Sequence, residues 1–201
     1  MTVGEARQAY SMQLKSYNVR KFKLAQQKSD LEERIKKTEN GGTLFANESV
    51  TLELTYDAVS EKQEEYQKYM DKLMEQWNAK FNAVATQQNA EAEKEAFEDL
   101  AKIMEVARRL MHGDTVPQSD EEKLMEYDSD LYQMAKNAQM MARMNNKERT
   151  KYESLWEDKE EKEPEDPIDV ADGQEAFATG PEMVDVEVTM ASAVSESAGA
   201  E

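Results

Sequence analysis

The sequence predicts an all-α fold: elongated antiparallel coiled-coil hairpins around one long central helix, followed by a disordered acidic C-terminal tail. Three long segments, 5–40, 43–112 and 118–163, contain neither Gly nor Pro. They are rich in the residues that favour helices most. Apolar residues recur in them at spacings of three and four, which is the helical period. No alternating strand pattern occurs in 1–160.

These observations divide the chain into a helical body and a tail. The expected body covers 1–156, and the expected tail covers 157–201. The body is predicted to hold three helices, over about 3–39, 47–112 and 119–158. From Pro164 onward the composition changes abruptly, with three of the four prolines in the last 38 residues.

The first predicted helix carries half of a heptad seam. Arg7, Lys21 and Lys28 occupy the second seam position, so only one apolar column is complete. That column consists of Val3, Tyr10, Tyr17, Leu24 and Leu31. The run Asn40-Gly41-Gly42 is expected to end the helix, because Asn and Gly tolerate the left-handed conformation found after helix C-termini.

The second predicted helix has the clearest heptad pattern. Eight of its ten seam positions are apolar, and such a repeat indicates a left-handed coiled coil. One column consists of Leu52, Val59, Tyr66, Leu73 and Lys80. The other consists of Tyr56, Gln63, Met70, Trp77 and Val84. The pattern shifts near 81–92, and the spacing leaves open whether the helix is continuous through 86–90.

The third predicted helix begins with a capping box, Ser119 with Glu122. If short turns join antiparallel neighbours, Glu5 falls opposite Phe81 and Trp156 opposite Glu75. Both outer helices would then end near 75–84. An aromatic cluster is expected there, formed by Tyr10, Trp77, Phe81, Tyr152 and Trp156. The stretch 76–90 has one charge, Lys80, which also favours burial.

The acidic charge is concentrated in the predicted tail. The whole chain has a formal net charge of −18, and 15 acidic residues with two lysines give 157–201 a net charge of −13. Such a composition is typical of disorder. Val184, Val186 and Val188 alternate with acids within it. They indicate either a strand that joins a partner's sheet or a chance cluster in a solvated tail.

The composition argues against catalysis. The chain has no Cys and one His, which excludes disulfides, thiolate metal sites and cysteine nucleophiles. No Gly-rich phosphate loop or Glu-x-x-His pair occurs. His112 lies in the last turn of a helix, where the dipole stabilises a cation. We therefore expect no enzyme activity, cofactor, metal or small-molecule substrate.

Several apolar residues are candidates for partner binding. Met140 and Met144 lie off the main seam, where they either fill the core or form a groove for a partner helix. Leu44 and Phe45 either cap the first hairpin or form an exposed tip. Trp77 and Phe81 belong to the expected aromatic cluster.

Together these features predict a non-enzymatic interaction protein, an adaptor or assembly component of a larger apparatus of the phage or secretion type. The alternative is a chaperone-like holder that masks a partner helix with its Met-rich face. Nucleic-acid binding through the basic first helix is disfavoured by the acidic chain. The partner is expected to be a protein, with a second copy of the chain among the candidates. No signal peptide or transmembrane stretch is found, which predicts a cytoplasmic protein without membrane insertion, although export without a cleaved signal stays open.

Overall fold

Helices form the regular structure of the part of the chain described by the computed structural model, namely residues 1–145, 148–156 and 163–198. These residues include no strand, only two isolated β-bridges, so the predicted all-α class is confirmed. The helices are α1 (Val3–Lys37), α2 (Gly41–Leu44), α3 (Ala46–His112), α4 (Gln118–Tyr127), α5 (Ser129–Met144), α6 (Pro167–Gly173) and α7 (Val186–Ala198). Within the described part, none of them has the length and apolar character needed to cross a membrane.

Helix α1 begins at a capping box and buries one column of side chains. The Thr2 hydroxyl accepts a hydrogen bond from the Glu5 amide, and the Glu5 carboxylate accepts one from the Thr2 amide. These bonds satisfy two amides that lack helical partners. The five residues predicted at heptad spacing are all buried: Val3, Tyr10, Tyr17, Leu24 and Leu31.

Asn40 and Gly41 reverse the chain between α1 and α3. Asn40 adopts a left-handed backbone conformation, with φ of 56°, which Asn tolerates better than most residues. A Cβ atom on Gly41 would lie 2.4 Å from the carbonyl oxygen of Ile35. Only glycine therefore fits where the chain folds back on the end of α1.

Helix α1 packs antiparallel against the first half of α3. Near the turn, Arg34 pairs with Glu48 at 3.1 Å. Further from it, the Tyr17 ring packs edge-on against Tyr66, with ring centroids 5.3 Å apart. Basic side chains of α1 thus meet acidic side chains of α3.

The chain divides into two compact units. The first comprises Met1–Val84 with Glu165–Glu201, and the second comprises Ala85–Pro164. Helix α3 contributes residues to both. This division differs from the predicted body and tail because residues after 164 belong to the first unit. The core of the first unit consists of Ala6, Tyr10, Leu14, Tyr17, Leu24, Val59, Tyr66, Tyr69, Leu73 and Val186.

The C-terminal residues of the first unit form two helices, so the predicted disordered tail is not confirmed. Both α6 and α7 contact α1. Asp172 of α6 pairs with Arg7 at 2.8 Å, and Val186 enters the core. Acidic composition alone predicted disorder, but these acids meet basic side chains of α1. Residues 157–162 and 199–201 of the predicted tail lie outside the described residues.

In the second unit, the single helix predicted over 119–158 is replaced by two shorter helices. Helix α4 begins at Gln118, and Ser119 donates to Asp120 rather than forming a capping box with Glu122. Helix α5 begins after Asp128, whose carboxylate accepts hydrogen bonds from two amides of its first turn. This N-cap starts a new helix although apolar spacing continues through it.

Residues 148–156 return to α3 and α4 without forming a helix. The Tyr152 ring lies under the Arg109 guanidinium at 4.0 Å, and the Trp156 indole donates to Asp99 at 3.0 Å. These partners differ from the predicted stretch 75–84, because α5 ends at Met144 and the chain doubles back. None of residues 76–90 is fully buried. The expected cluster of five aromatic residues is therefore not confirmed: Tyr152 and Trp156 contact Arg109 and Asp99, and Trp77 and Phe81 stack on each other.

The core of the second unit lies where the end of α3 meets α4 and α5. It consists of Ile103, Val106, Ala107, Leu110, Val116, Leu124 and Ala135. Leu155 and Trp156 of the returning segment pack against its edge.

Candidate protein-binding surfaces

Four tyrosines of the first unit form a surface that we call the tyrosine groove: Tyr10 and Tyr17 on α1, and Tyr66 and Tyr69 on α3. The Tyr10 ring contacts Tyr69, with centroids 4.7 Å apart, and Tyr66 at 5.9 Å. Buried tyrosines place their hydroxyls where a hydrogen-bond partner is available. The groove therefore presents a row of hydroxyl donors above a core of packed rings.

A non-helical stretch of main chain, residues 175–185, lies along the tyrosine groove. Each hydroxyl donates to a different carbonyl oxygen: Tyr69 to Ala178 (2.8 Å), Tyr10 to Pro181 (2.7 Å), Tyr66 to Glu182 (2.9 Å) and Tyr17 to Val184 (3.0 Å). The Tyr66 hydroxyl also accepts from the Val184 amide at 2.9 Å. These bonds all involve main-chain atoms of the docked stretch. The groove therefore recognises the backbone conformation of this stretch rather than its side chains.

Two glutamines extend this recognition at either end of the groove. The Gln76 side-chain amide donates to the Glu175 carbonyl at 2.7 Å and accepts from the Phe177 amide at 3.0 Å. Gln13 donates to the Val184 carbonyl. A side-chain amide that both donates and accepts in this way imitates the pairing of a neighbouring main chain.

Gly180 lies close against the rings of the groove. A Cβ atom there would lie 2.1 Å from the Tyr10 hydroxyl oxygen and 2.6 Å from Cε1 of Tyr69. Both distances are far below van der Waals contact, so any other residue would push the chain away from two of its hydrogen-bond donors.

Burial widens the pH range over which the hydroxyls of Tyr10, Tyr17 and Tyr69 stay protonated. Desolvation raises the pKa of Tyr17 to about 12. Desolvation is also the main reason why the pKa values of Tyr10 and Tyr69 are raised, and for Tyr10 the neighbouring tyrosines add to it. Each group therefore remains a hydrogen-bond donor throughout the neutral range.

The three alternating valines lie along this docked chain. Val184 contributes main-chain atoms to the groove. Val186 is 9% exposed and begins α7, whereas Val188 is 55% exposed on that helix. The segment thus docks on helices of its own chain, which differs from both sequence interpretations, a strand on a partner's sheet and a solvated cluster.

Trp77 and Phe81 stack on each other on α3, with centroids 5.1 Å apart and planes 11° from parallel. The Trp77 indole donates to Asp172 at 2.7 Å, and the Arg7 guanidinium lies over its ring at 4.8 Å. Trp77 is therefore engaged by α1 and α6 of its own unit, and both rings remain half-buried.

The hairpin tip separates its two apolar residues. Leu44 is 69% exposed. Phe45 is half-buried under the Arg34 guanidinium, 4.6 Å from its ring centroid. Phe45 thus packs against α1, as expected of a capping residue, and Leu44 is the exposed residue of the tip.

The outward face of α5 carries a methionine cluster that we call the methionine face: Met134, Met140, Met141 and Met144. Met140 is 59% exposed and Met144 is 78% exposed. At 100° per residue, the four side chains lie within an arc of about 120°. The buried residues Ala135 and Gln139 lie on the other side of the helix. These methionines therefore do not fill the core.

Two buried carboxylates of the second unit hold the returning segment. Asp114 accepts from the Thr150 amide at 3.0 Å, which lowers the pKa of Asp114, and His112 lies 3.1 Å away. Asp120 accepts from the Ser154 hydroxyl at 2.5 Å. These acids have structural partners. No group of three or more His, Asp or Glu in the described part of the chain could hold a metal ion.

The tyrosine groove was missed by the sequence predictions, although the sequence contains a signal for it. Tyr10, Tyr17 and Tyr66 occupy heptad positions that are more often aliphatic, and a buried phenol needs a partner for its hydroxyl. Comparisons of the chain with protein-family models, with curated proteins and with solved structures find no match.

Proposed function

We propose that this chain is a non-enzymatic interaction protein that acts as an adaptor or assembly component of a larger multi-protein apparatus. The methionine face carries the proposal. A surface helix of a monomeric protein normally presents polar residues outward, and clustered exposed apolar side chains mark binding sites. Methionine suits such a site because its flexible, polarisable side chain adapts to a partner.

A chaperone-like holder is the alternative, and it would use the same surface. An adaptor binds one partner in a fixed ratio, whereas a holder binds unfolded chains of many kinds. The polar residues within the methionine face, among them Asn137, favour the adaptor because they add directional contacts to an adaptable surface. Suppression of the aggregation of unrelated unfolded proteins would favour the holder instead.

Nucleic-acid binding is less supported because α1 uses five of its nine basic side chains in ion pairs within the chain. These pairs are Arg7 with Asp172, Arg20 with Glu187, Lys28 with Glu53, Arg34 with Glu48 and Lys37 with Glu33. Phosphates would have to compete with these carboxylates, and the net charge of −18 opposes a polyanion.

Two further parts of this proposal concern the packing of the first hairpin and the location of the protein in the cell. We propose that α1 and the first half of α3 pack as an antiparallel coiled coil, because their buried tyrosines and aliphatic residues follow the heptad columns. We also propose a cytoplasmic location, which fits the absence of Cys from the chain.

Site-specific photo-crosslinking in the producing cells tests the adaptor proposal. A photoreactive residue at position 144 is expected to give one discrete adduct with a protein partner. Replacing Met140 and Met141 with Glu on the same chain should abolish that adduct. The matched control places the photoreactive residue at position 12, where Met12 is also exposed but lies on α1. Equal adducts at both positions would refute the proposal.

A further inference from the structure

The tyrosine groove binds its segment through contacts that any copy of the same segment could make. Six side chains of α1 and α3 bond to main-chain atoms of residues 175–184. Beyond these bonds, the Phe177 ring packs on Tyr69 at 5.6 Å, and Val186 fills the core. The surface is therefore a complete peptide-binding site whose occupant belongs to the same chain.

The route by which this occupant is connected to the groove is long. The groove lies within Met1–Val84, and the occupant lies within Glu165–Glu201, so the whole of the second unit separates them in sequence. No short loop forces the segment onto the groove of its own chain. Docking within one chain is favoured by an effective concentration, which the second copy has to match for exchange to occur.

We infer that the tyrosine groove accepts the corresponding segment of a second copy of this chain, so that two copies exchange residues 165–195. Exchange of an identical element re-forms every contact of the closed molecule, which makes it a low-cost route to a dimer. Gly180 is the feature that makes the site selective, because its lack of a Cβ lets the chain lie against Tyr10 and Tyr69.

The acidic character of the segment adds to this selectivity. Arg20 of α1 contacts Glu187 at 3.4 Å, and Arg7 contacts Asp172 at 2.8 Å. A second copy brings the same two carboxylates to the same two guanidinium groups. An unrelated segment would need both acids in addition to a glycine at the crossing of Tyr10 and Tyr69.

Crosslinking between two differently labelled full-length chains tests this exchange. The natural chain has no Cys, so R20C can be placed in one population and E187C in the other. After mixing, a short bismaleimide can join position 20 to position 187 only between two copies. Mixing L44C with E187C is the collision control, because Leu44 lies on α2, beyond the C-terminal end of α1, whereas Arg20 lies near the middle of α1.

Gly180→Ala supplies the decisive comparison because a Cβ atom at position 180 clashes with the groove of whichever copy the segment docks on. A mixed dimer with this variant on either chain contains one intact and one impaired docking, as the two closed chains do, so its final yield should stay the same. Because the variant segment leaves its own groove more often, the mixed dimer should form about tenfold faster than from the unmodified pair. Gly173→Ala is the matched control, because a Cβ there meets nothing within 4 Å.

Two results would overturn the inference. One is a mixed-dimer yield that never exceeds the collision control, which would mean that the groove takes only its own segment. The other is a rate of mixed-dimer formation that Gly180→Ala leaves unchanged, which would mean that the crosslink forms without release of the segment from the groove. Far-UV circular dichroism and a melting curve of each variant establish that the helices are retained. If the alanine variant does not fold, a Gln76→Ala chain, which loses two bonds to the segment, repeats the comparison.

Discussion

Each hydroxyl of the tyrosine groove donates to a main-chain carbonyl of the docked segment. A typical hydrogen bond of this kind contributes about 0.5–1.5 kcal/mol, whereas an unpaired buried group costs about 1–3 kcal/mol. Tyr66 has the largest share, because its hydroxyl bonds both the Glu182 carbonyl and the Val184 amide. Two of the main-chain bonds to the docked segment therefore depend on this one side chain.

Replacing Tyr66 with Phe is expected to lower the free energy of unfolding by about 1–3 kcal/mol, because two main-chain groups lose their partner. Hydrogen exchange should locate the effect, since the Val184 amide would exchange faster. Tyr127→Phe is the control, because Tyr127 is exposed on α4. Equal stabilities of the two variants in urea unfolding would contradict the assigned role of the hydroxyl.

Alkaline pH is expected to release the docked segment. The folded pKa of Tyr17 is raised from 10.0 to about 12. The fold therefore favours the protonated phenol, and this contribution to stability is complete below pH 10 and is lost as the pH rises towards 12. A tyrosinate also has no proton to donate to the Val184 carbonyl. Urea unfolding across this range, followed together with tyrosinate absorbance, measures the loss, and a pH-independent stability would rule it out.

At the scale of the elements, helices with a complete apolar column were predictable and the breaks between short helices were not. The buried column of α1 followed from seven-residue spacing alone, and the end of α1 followed from Asn40 and Gly41. The break at Asp128 was missed because Leu124 and Leu131 keep helical spacing across it. A short acidic side chain can serve either a helix surface or an N-cap, and only packing decides between these roles.

Removing the N-cap of α5 is expected to destabilise the second unit. Asp128→Ala deletes two hydrogen bonds to the first turn of α5, which typically costs about 0.5–2 kcal/mol. Gln133→Ala on the same helix is the control, since Gln133 is exposed and lies beyond the cap. The measurement is urea unfolding followed by circular dichroism, and a cost no larger than that of the control would show that the cap is dispensable.

Acid is expected to weaken the last turns of α3. Hydrogen bonds from Arg108, the larger cause, and from Arg109 lower the pKa of Glu105 from 4.5 to about 2. This contribution to stability is complete above pH 4.5 and is lost as the pH falls towards 2. Glu105→Gln should flatten the pH dependence over this range. A thermal melting series on both chains checks this, and identical acid profiles would contradict it.

The binding surfaces were harder to predict than the helices because they depend on which segment covers which face. Met140 and Met144 could be singled out by their departure from the seam. The tyrosine groove could not, because its ligand lies more than 100 residues away from Tyr66 and Tyr69 in the sequence. The sequence shows that a buried hydroxyl needs a partner, but it does not show which main chain supplies one.

At the scale of the whole molecule, acidic residues near the C-terminus pair with basic residues of α1. Residues 157–201 have a net charge of −13, and α6 and α7 bring part of it to the basic helix α1. Exposed ion pairs contribute only about 0–1 kcal/mol each. The main-chain bonds in the tyrosine groove and the burial of Val186 therefore account for most of the docking, while the charge favours this orientation.

Truncation after Pro164 distinguishes a docked segment from a solvated tail. A solvated tail could be removed without effect, whereas loss of the docked segment uncovers the rings of Tyr10 and Tyr69 and leaves their hydroxyls without carbonyl partners. We expect faster hydrogen exchange in α1 and in the first half of α3. Exchange at Val106 and Leu110 should stay unchanged, because both lie in the core of the second unit. Unchanged protection of α1 in the truncated chain would show that the groove does not depend on its segment.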